Sequence, residues 1–196
     1  MEENFDALEV IAHTRGKVEM SNSPTGENIF LVWGWPTAVL FLLEFLFWLL
    51  FHQEWCLWLW IGIPILGIPL MVHYLKKDHS RTHSRTHESK VILNYWIFVG
   101  AASCISGFIF SFAGLYEDCF MPQVCLLMGI GSFITGQLLR FRTKSICGLI
   151  GSAIGICSFM LKGDLWYWQL LAISLVSVIT LILPGIQYNK HVKNAI

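Results

Sequence analysis

The chain has 196 residues, 55% hydrophobic and only 13% charged, with thirteen Lys and Arg against thirteen Asp and Glu. Balanced charge without a dominant basic patch excludes a nucleic-acid binder, and the size and apolar content exclude a small disulfide-stapled secreted domain. Long apolar blocks almost free of charge are instead what a bilayer requires.

Residues 4–20 read as an amphipathic helix, because Phe5, Leu8, Ile11, Ala12, Arg15 and Val18 recur at steps of three and four. Its acids come early and its bases late, which suits the helix dipole. Such a helix either lies on the membrane or docks a soluble protein partner. Ser21-Asn22-Ser23-Pro24-Thr25-Gly26 then reads as a linker. Six apolar blocks follow, over 29–51, 55–75, 91–115, 121–139, 145–161 and 166–186. Lipid offers backbone groups no partner, and the blocks lack the alternation of a membrane barrel, so helices are expected. The predicted fold is therefore an all-α membrane protein. A cytoplasmic amphipathic helix and linker occupy 1–28, a six-helix transmembrane bundle of three hairpins occupies 29–188, and a cytoplasmic tail follows over 189–196. The first block is too long for a signal-peptide core, and Glu2, Glu3 and Asp6 precede it instead of bases.

Arg15, Lys17, Lys76, Lys77, Arg81, Arg85, Lys90, Arg140, Arg142, Lys144, Lys190 and Lys193 all fall on one side of this arrangement, with only Lys162 opposite. The positive-inside rule then puts both termini in the cytoplasm. Trp48, Trp55, Trp58, Trp60, Trp166 and Trp168 gather at the other interface, where indole rings favour the headgroup level.

Glu44 is the one charge-capable residue deep inside a block. An acid there is costly unless it is neutral, paired or solvated, so a neutral, hydrogen-bonded carboxyl is expected. Thr37 shares its face, seven residues earlier. One reading makes Glu44 a proton relay or cation site; the other makes it a structural hydrogen bond between helices, or an acid that snorkels toward the outer headgroups. The second block carries Gly62-Ile63-Pro64 and Gly67-Ile68-Pro69, and each proline removes a backbone hydrogen bond. A kinked or broken helix is expected there, and broken helices line substrate sites in transporters. Glu44, Thr37, Pro64 and Pro69 are thus the candidate binding residues.

The loop between the second and third blocks repeats His79-Ser80-Arg81-Thr82, His83-Ser84-Arg85-Thr86 and His87-Glu88-Ser89-Lys90. On a helix His79, His83 and His87 would align and could share a metal. The Ser and Thr content argues for a solvated basic loop instead, and pH or anionic-lipid sensing is a third reading. No cofactor is expected. Small residues recur every four at Ser103, Gly107 and Ser111, at Ser132 and Gly136, and at Gly151 and Gly155, with Gly148 beside them. These are helix-packing faces, within the bundle or in a homo-oligomer. Ser174, Ser177 and Thr180 step along the sixth block. Cys119 and Cys125 flank an outer connection and leave a disulfide open. No Ser–His pair within a block, no helical His-Glu-x-x-His and no phosphate-binding glycine loop occurs, so no enzyme is expected.

Trp33-Gly34, the basic turn Leu138-Leu139-Arg140-Phe141-Arg142 and the terminal Leu183-Pro184-Gly185, taken in order, resemble a family of small six-span bacterial inner-membrane proteins. The resemblance implies a multi-pass inner-membrane location and brings no activity or site residues. In architecture alone the chain is also similar to the substrate-binding subunits of energy-coupling-factor vitamin transporters. Two functional classes follow. The first is a non-catalytic membrane partner or regulator that engages a cytoplasmic protein. The second is a small-solute or ion transporter, or substrate-binding subunit, using Glu44 and the second helix. The topology has a direct test: with the other cysteines replaced, a membrane-impermeant maleimide is expected to label Cys119 from outside the cell. Labelling only from inside would invert the arrangement.

Overall fold

The computed structural model describes residues 24–52, 59, 61–79 and 87–193. The N-terminal amphipathic segment, Trp55, Trp58, Trp60, His83 and most of the tandem repeat lie outside the described residues. Within them the chain is helical, with no strand. Helix α1 spans Pro24–Phe51, α2 Gly62–His79, α3 His87–Ala113, α4 Met121–Leu138, α5 Arg142–Ser158, α6 Trp168–Ser177 and α7 Leu183–Lys193. A π-helical turn, Tyr116–Phe120, leads into α4, and a second, Val178–Ile182, joins α6 to α7 as one continuous rod.

Proline and left-handed residues set several of these ends. The expected linker is helical from Pro24, whose fixed φ suits a first turn and whose missing N–H is not needed there. His52, at φ 50°, stops α1. Gly114, at φ 68°, ends α3 while Leu115 N–H reaches back to Phe110 O at 2.9 Å. Arg140 does the same for α4 at φ 52°, a conformation glycine adopts far more readily. Its N–H donates to Gln137 O at 3.2 Å, and Phe141 N–H donates to Gly136 O at 2.8 Å, which closes the last carbonyls of the helix. The third copy of the histidine repeat is the first turn of α3, so the connection between α2 and α3 is only 80–86.

Four stretches are long and apolar enough to cross a membrane: Phe30–Phe51, Lys90–Phe110, Asp118–Leu138 and Trp168–Tyr188. The apolar part of α2, Gly62–His73, is shorter, about 18 Å at the rise of an α-helix. It begins halfway along α1, where Gly62 meets Leu40, and runs antiparallel until Gly67 meets the Trp33 ring. Pro64 falls in its first turn and Pro69 inside an uninterrupted helix, so α2 is not broken at either.

The densest packing is between α4 and α5, joined by the turn at 139–141. A Cβ on Gly136 would lie 2.5 Å from Ser145 N, and one on Gly155 would lie 2.6 Å from Leu126 N. Side chains at Gly129 and Gly148 would run into the facing backbone as well. The small-residue faces of these helices are therefore spent inside the chain, as close backbone approach in lipid demands. Gly151 faces the other way, onto Thr180 and Val176 of the α6–α7 rod. That rod is the centre of the bundle, packed by α1, α4 and α5, and Leu170, Ile173 and Val176 are its fully buried apolar residues.

One hydrogen bond crosses this centre beside Pro184. Proline brings no N–H to the turn before it, a π-helical turn in which Leu183 N–H reaches back five residues to Val178 O. Ser132 Oγ of α4 donates to Thr180 O of that turn at 3.0 Å, fully buried. Ser132→Ala is therefore expected to cost about 1–3 kcal/mol, the penalty of an unsatisfied buried group. In a Pro184→Ala background, where the backbone donor returns, the cost should shrink. Equal losses in both backgrounds, read from detergent unfolding, would disprove the link.

Candidate functional site

The seam between α1 and the α6–α7 rod is polar at regular intervals. Ser174 Oγ donates to Ala38 O at 2.8 Å, and Ser177 Oγ donates to Gly34 O at 2.9 Å. The absence of a side chain at Gly34 lets the rod approach, since a Cβ would sit 3.0 Å from Leu181 and Ile182. Trp33 beside it turns the other way, onto Gly67 of α2. The Trp33-Gly34 pair thus serves two neighbours. Thr180 Oγ1 bonds Val176 O within its own helix at 2.7 Å.

Glu44 lies on the same seam and is fully buried, at 0% exposure. The antiparallel pairs Gly34–Ser177, Ala38–Ser174 and Trp48–Trp166 place it at the level of Gln169. Gln169 is also fully buried, and its Nε2 donates to Leu161 O. Its Oε1 has no hydrogen-bond partner among the described residues. Above Glu44 the seam is shut by rings. Trp48 meets Trp166 edge-on at 4.9 Å, and Phe45 lies 6.2 Å from Tyr167 and 5.4 Å from Trp168. These are the tryptophans expected at the outer interface, and three of them form a lid.

The sequence candidates do not converge. Thr37 is buried on the Glu44 face, but its hydroxyl is committed to Trp33 O of its own helix at 2.7 Å. The contacts of α2 on α1 run from Leu40 towards Trp33, away from Glu44. Pro64 is half-buried and Pro69 exposed. Of the expected polar row on the sixth block, Ser174 and Ser177 serve α1 carbonyls. For the histidines, the described residues place His79 at the end of α2 and His87 at the start of α3, without describing their side chains. No group of three metal-ligating side chains occurs among the described residues. Cys119 and Cys125 are free thiols, Cys125 wholly buried, so the disulfide left open by their spacing is absent.

The opposite, basic end carries an arrangement that the sequence reading missed. Lys144, counted there as an interfacial cation, is 2% exposed, and its Nζ stands 2.9 Å over the centre of the Phe30 ring. Phe30 meets Trp96 edge-on at 5.6 Å. Trp96 Nε1 donates to Thr135 Oγ1 at 3.1 Å, and Thr135 in turn bonds Gly131 O at 2.7 Å. One chain of contacts thus ties the start of α1, the start of α3, the end of α4 and the start of α5. Beside it Phe141 packs edge-on to Tyr188 at 5.7 Å. On the outside of the α4–α5 turn is an open groove of about 430 Å3, lined by Phe133, Gly136, Gln137, Arg140, Arg142, Ser145, Ile146 and Leu149.

A buried acid and a buried cation thus stand at opposite ends of the bundle. Glu44→Gln, which keeps the shape and hydrogen-bonding capacity of a neutral carboxyl, is expected to leave the melting temperature in detergent nearly unchanged. Glu44→Lys should destabilise by several kcal/mol through an uncompensated buried charge. A large loss for the glutamine variant would show that the ionised form is needed. No family model, curated protein or solved structure matches the chain, and the functional reading rests on its own residues.

Proposed function

We propose that the chain is a non-catalytic, multi-span integral membrane protein that works by binding another membrane protein. In this reading all six blocks cross a bacterial inner membrane, and both termini are cytoplasmic. The four long apolar helices support a membrane location, and the one-sided basic residues support the orientation.

One observation carries the partner reading. Of the four membrane-length stretches, three are 44–61% buried within the chain, while only 6% of Lys90–Phe110 is. Helix α3 touches the bundle through α4, the π-helical turn and the Trp96 cluster. Outward it presents Ile97, Phe98, Gly100, Ala101, Cys104, Ile105 and Phe108. Lipid gives apolar side chains no reason to cluster, so helices associate in it by close packing at small residues. Gly100, Ala101 and Cys104 offer that on the free side, and a Cβ at Gly100 would meet nothing within 4 Å. The amphipathic N-terminal segment would extend the contact into the cytoplasm.

The transport reading keeps one point in its favour, a wholly buried acid in a membrane-length helix. Against it stand the aromatic lid, the continuous α2 and the commitment of the seam hydroxyls to backbone carbonyls.

A photo-reactive residue at position 97 or 108 is expected to capture one and the same membrane protein, whereas one at Leu175 captures lipid alone. Gly100→Leu should abolish the adduct and leave the melting temperature in detergent unchanged. Lipid adducts at every position would reject the partner reading. Proteoliposome uptake that Glu44→Gln abolishes would put transport in its place.

A further inference from the structure

The groove on the α4–α5 turn has a direction. Along α4, Phe133 and Gln137 are spaced by four residues, which puts them on one face, and Arg140 follows in the turn just past the helix end. Along α5, Leu149, Ile146 and Arg142 do the same in the opposite chain direction. Because the helices are antiparallel, the two faces change together, from apolar to cationic over about 10 Å, two helical turns. Ile146 and Leu149 are each 56% exposed, so the apolar end is open to whatever surrounds the bundle. Both arginines are exposed at the other end, and no Asp or Glu among the described residues lines the groove. The helices cannot close it by sliding, since Gly136 already brings α4 against the Ser145 backbone at its floor.

An occupant that is apolar over two turns and anionic at one end, placed where membrane-length helices give way to a basic turn, is a phospholipid. We propose that this groove binds one anionic phospholipid of the adjacent leaflet. Arg140 and Arg142 flank its phosphate, and an acyl chain lies along Phe133, Ile146 and Leu149. Guanidinium forks match phosphate oxygens in pairs, which favours arginine over lysine at such a place. Gln137 supplies a further donor between the charged and apolar ends. The inference rests on the membrane-spanning part of the proposed function and not on a partner at α3, which is remote in sequence from every groove residue.

The test is native mass spectrometry of the full chain released from detergent, titrated with phosphatidylglycerol or phosphatidylcholine. The intact protein is expected to retain one phosphatidylglycerol in preference to phosphatidylcholine. Each arginine removed should weaken that retention about fivefold, the worth of one basic residue near an anionic membrane surface. Arg140→Gly is the informative first variant, because glycine accepts the left-handed backbone at φ 52° and the turn should be kept. Arg142→Gln is the second, and Lys190→Gln, an exposed cation on α7, should change nothing. Equal retention of the two lipids, or undiminished phosphatidylglycerol binding by the double arginine variant, would overturn the proposal. So would displacement of the lipid by millimolar inorganic phosphate, which would assign the arginines to a soluble anion. Failed cross-linking at α3 leaves these outcomes unaffected, so the two proposals fail separately.

Discussion

In hydrocarbon a backbone carbonyl that loses its helical donor has no water to turn to, and this constraint organises the centre of the molecule. Pro184 withholds one donor from the π-helical turn before it, and Ser132 of a neighbouring helix gives a hydroxyl to Thr180 O of that turn. For that hydroxyl to reach, α4 must lie close to the rod. Gly151 of α5 must also give way to Thr180, where a side chain would collide. Ser174 and Ser177 extend the same logic to α1, whose carbonyls at Ala38 and Gly34 accept a second hydrogen bond. The glycines and serines are therefore one device. Small residues bring backbones together, and short hydroxyls then satisfy what the approach leaves bare.

The two ends of the bundle are closed by different chemistry, and each closure depends on that packed centre. At one end aromatic rings from α1 meet those preceding α6, which suits side chains that are apolar in body and polar at the tip. At the other, Lys144 sits over Phe30, an attraction that grows as water is excluded. Thr135 accepts the Trp96 indole proton while bonding its own helix, which fastens the basic end of α3, and Gly107 meets the Phe120 ring of the π-helical turn near its other end. Most of α3 around these contacts stays exposed.

Composition and block length were enough to read an all-helical chain with several membrane-length segments. Periodic small residues located the α4 and α5 packing faces, though not which helix each would meet. Helix boundaries at Gly114 follow from glycine's freedom, but Arg140 in the same role gives no sequence signal, because only backbone geometry reveals the left-handed residue. The burial of Lys144 is hidden from the sequence for a related reason. Three basic residues at alternate positions look alike in sequence, and burial of one depends on a ring contributed from more than a hundred residues away. The Ser132–Thr180 bond was not legible, since both the π-helical turn and the donor that reaches it are set by tertiary packing. Among the candidate site residues, Glu44 and Thr37 share a buried face as their spacing implied. Pro64 and Pro69 belong elsewhere because α2 starts only halfway along α1.

These differences in packing divide the chain into a core that holds shape and surfaces that remain for others. Helices α1, α4, α5 and the α6–α7 rod use their small and polar residues on one another, so substitutions there act on stability first. Helix α3 keeps Gly100, Ala101 and Cys104 outward, and the α4–α5 turn keeps Arg140 and Arg142 outward. A Cβ at Gly100 would touch nothing, and Arg140 holds a backbone conformation that glycine would hold with less strain. Residues that leave local stability unimproved while facing the surroundings are where interaction with protein or lipid has room to act. Glu44 is the opposite case: wholly buried on a seam capped by aromatic rings, it lies among the residues that pack the core.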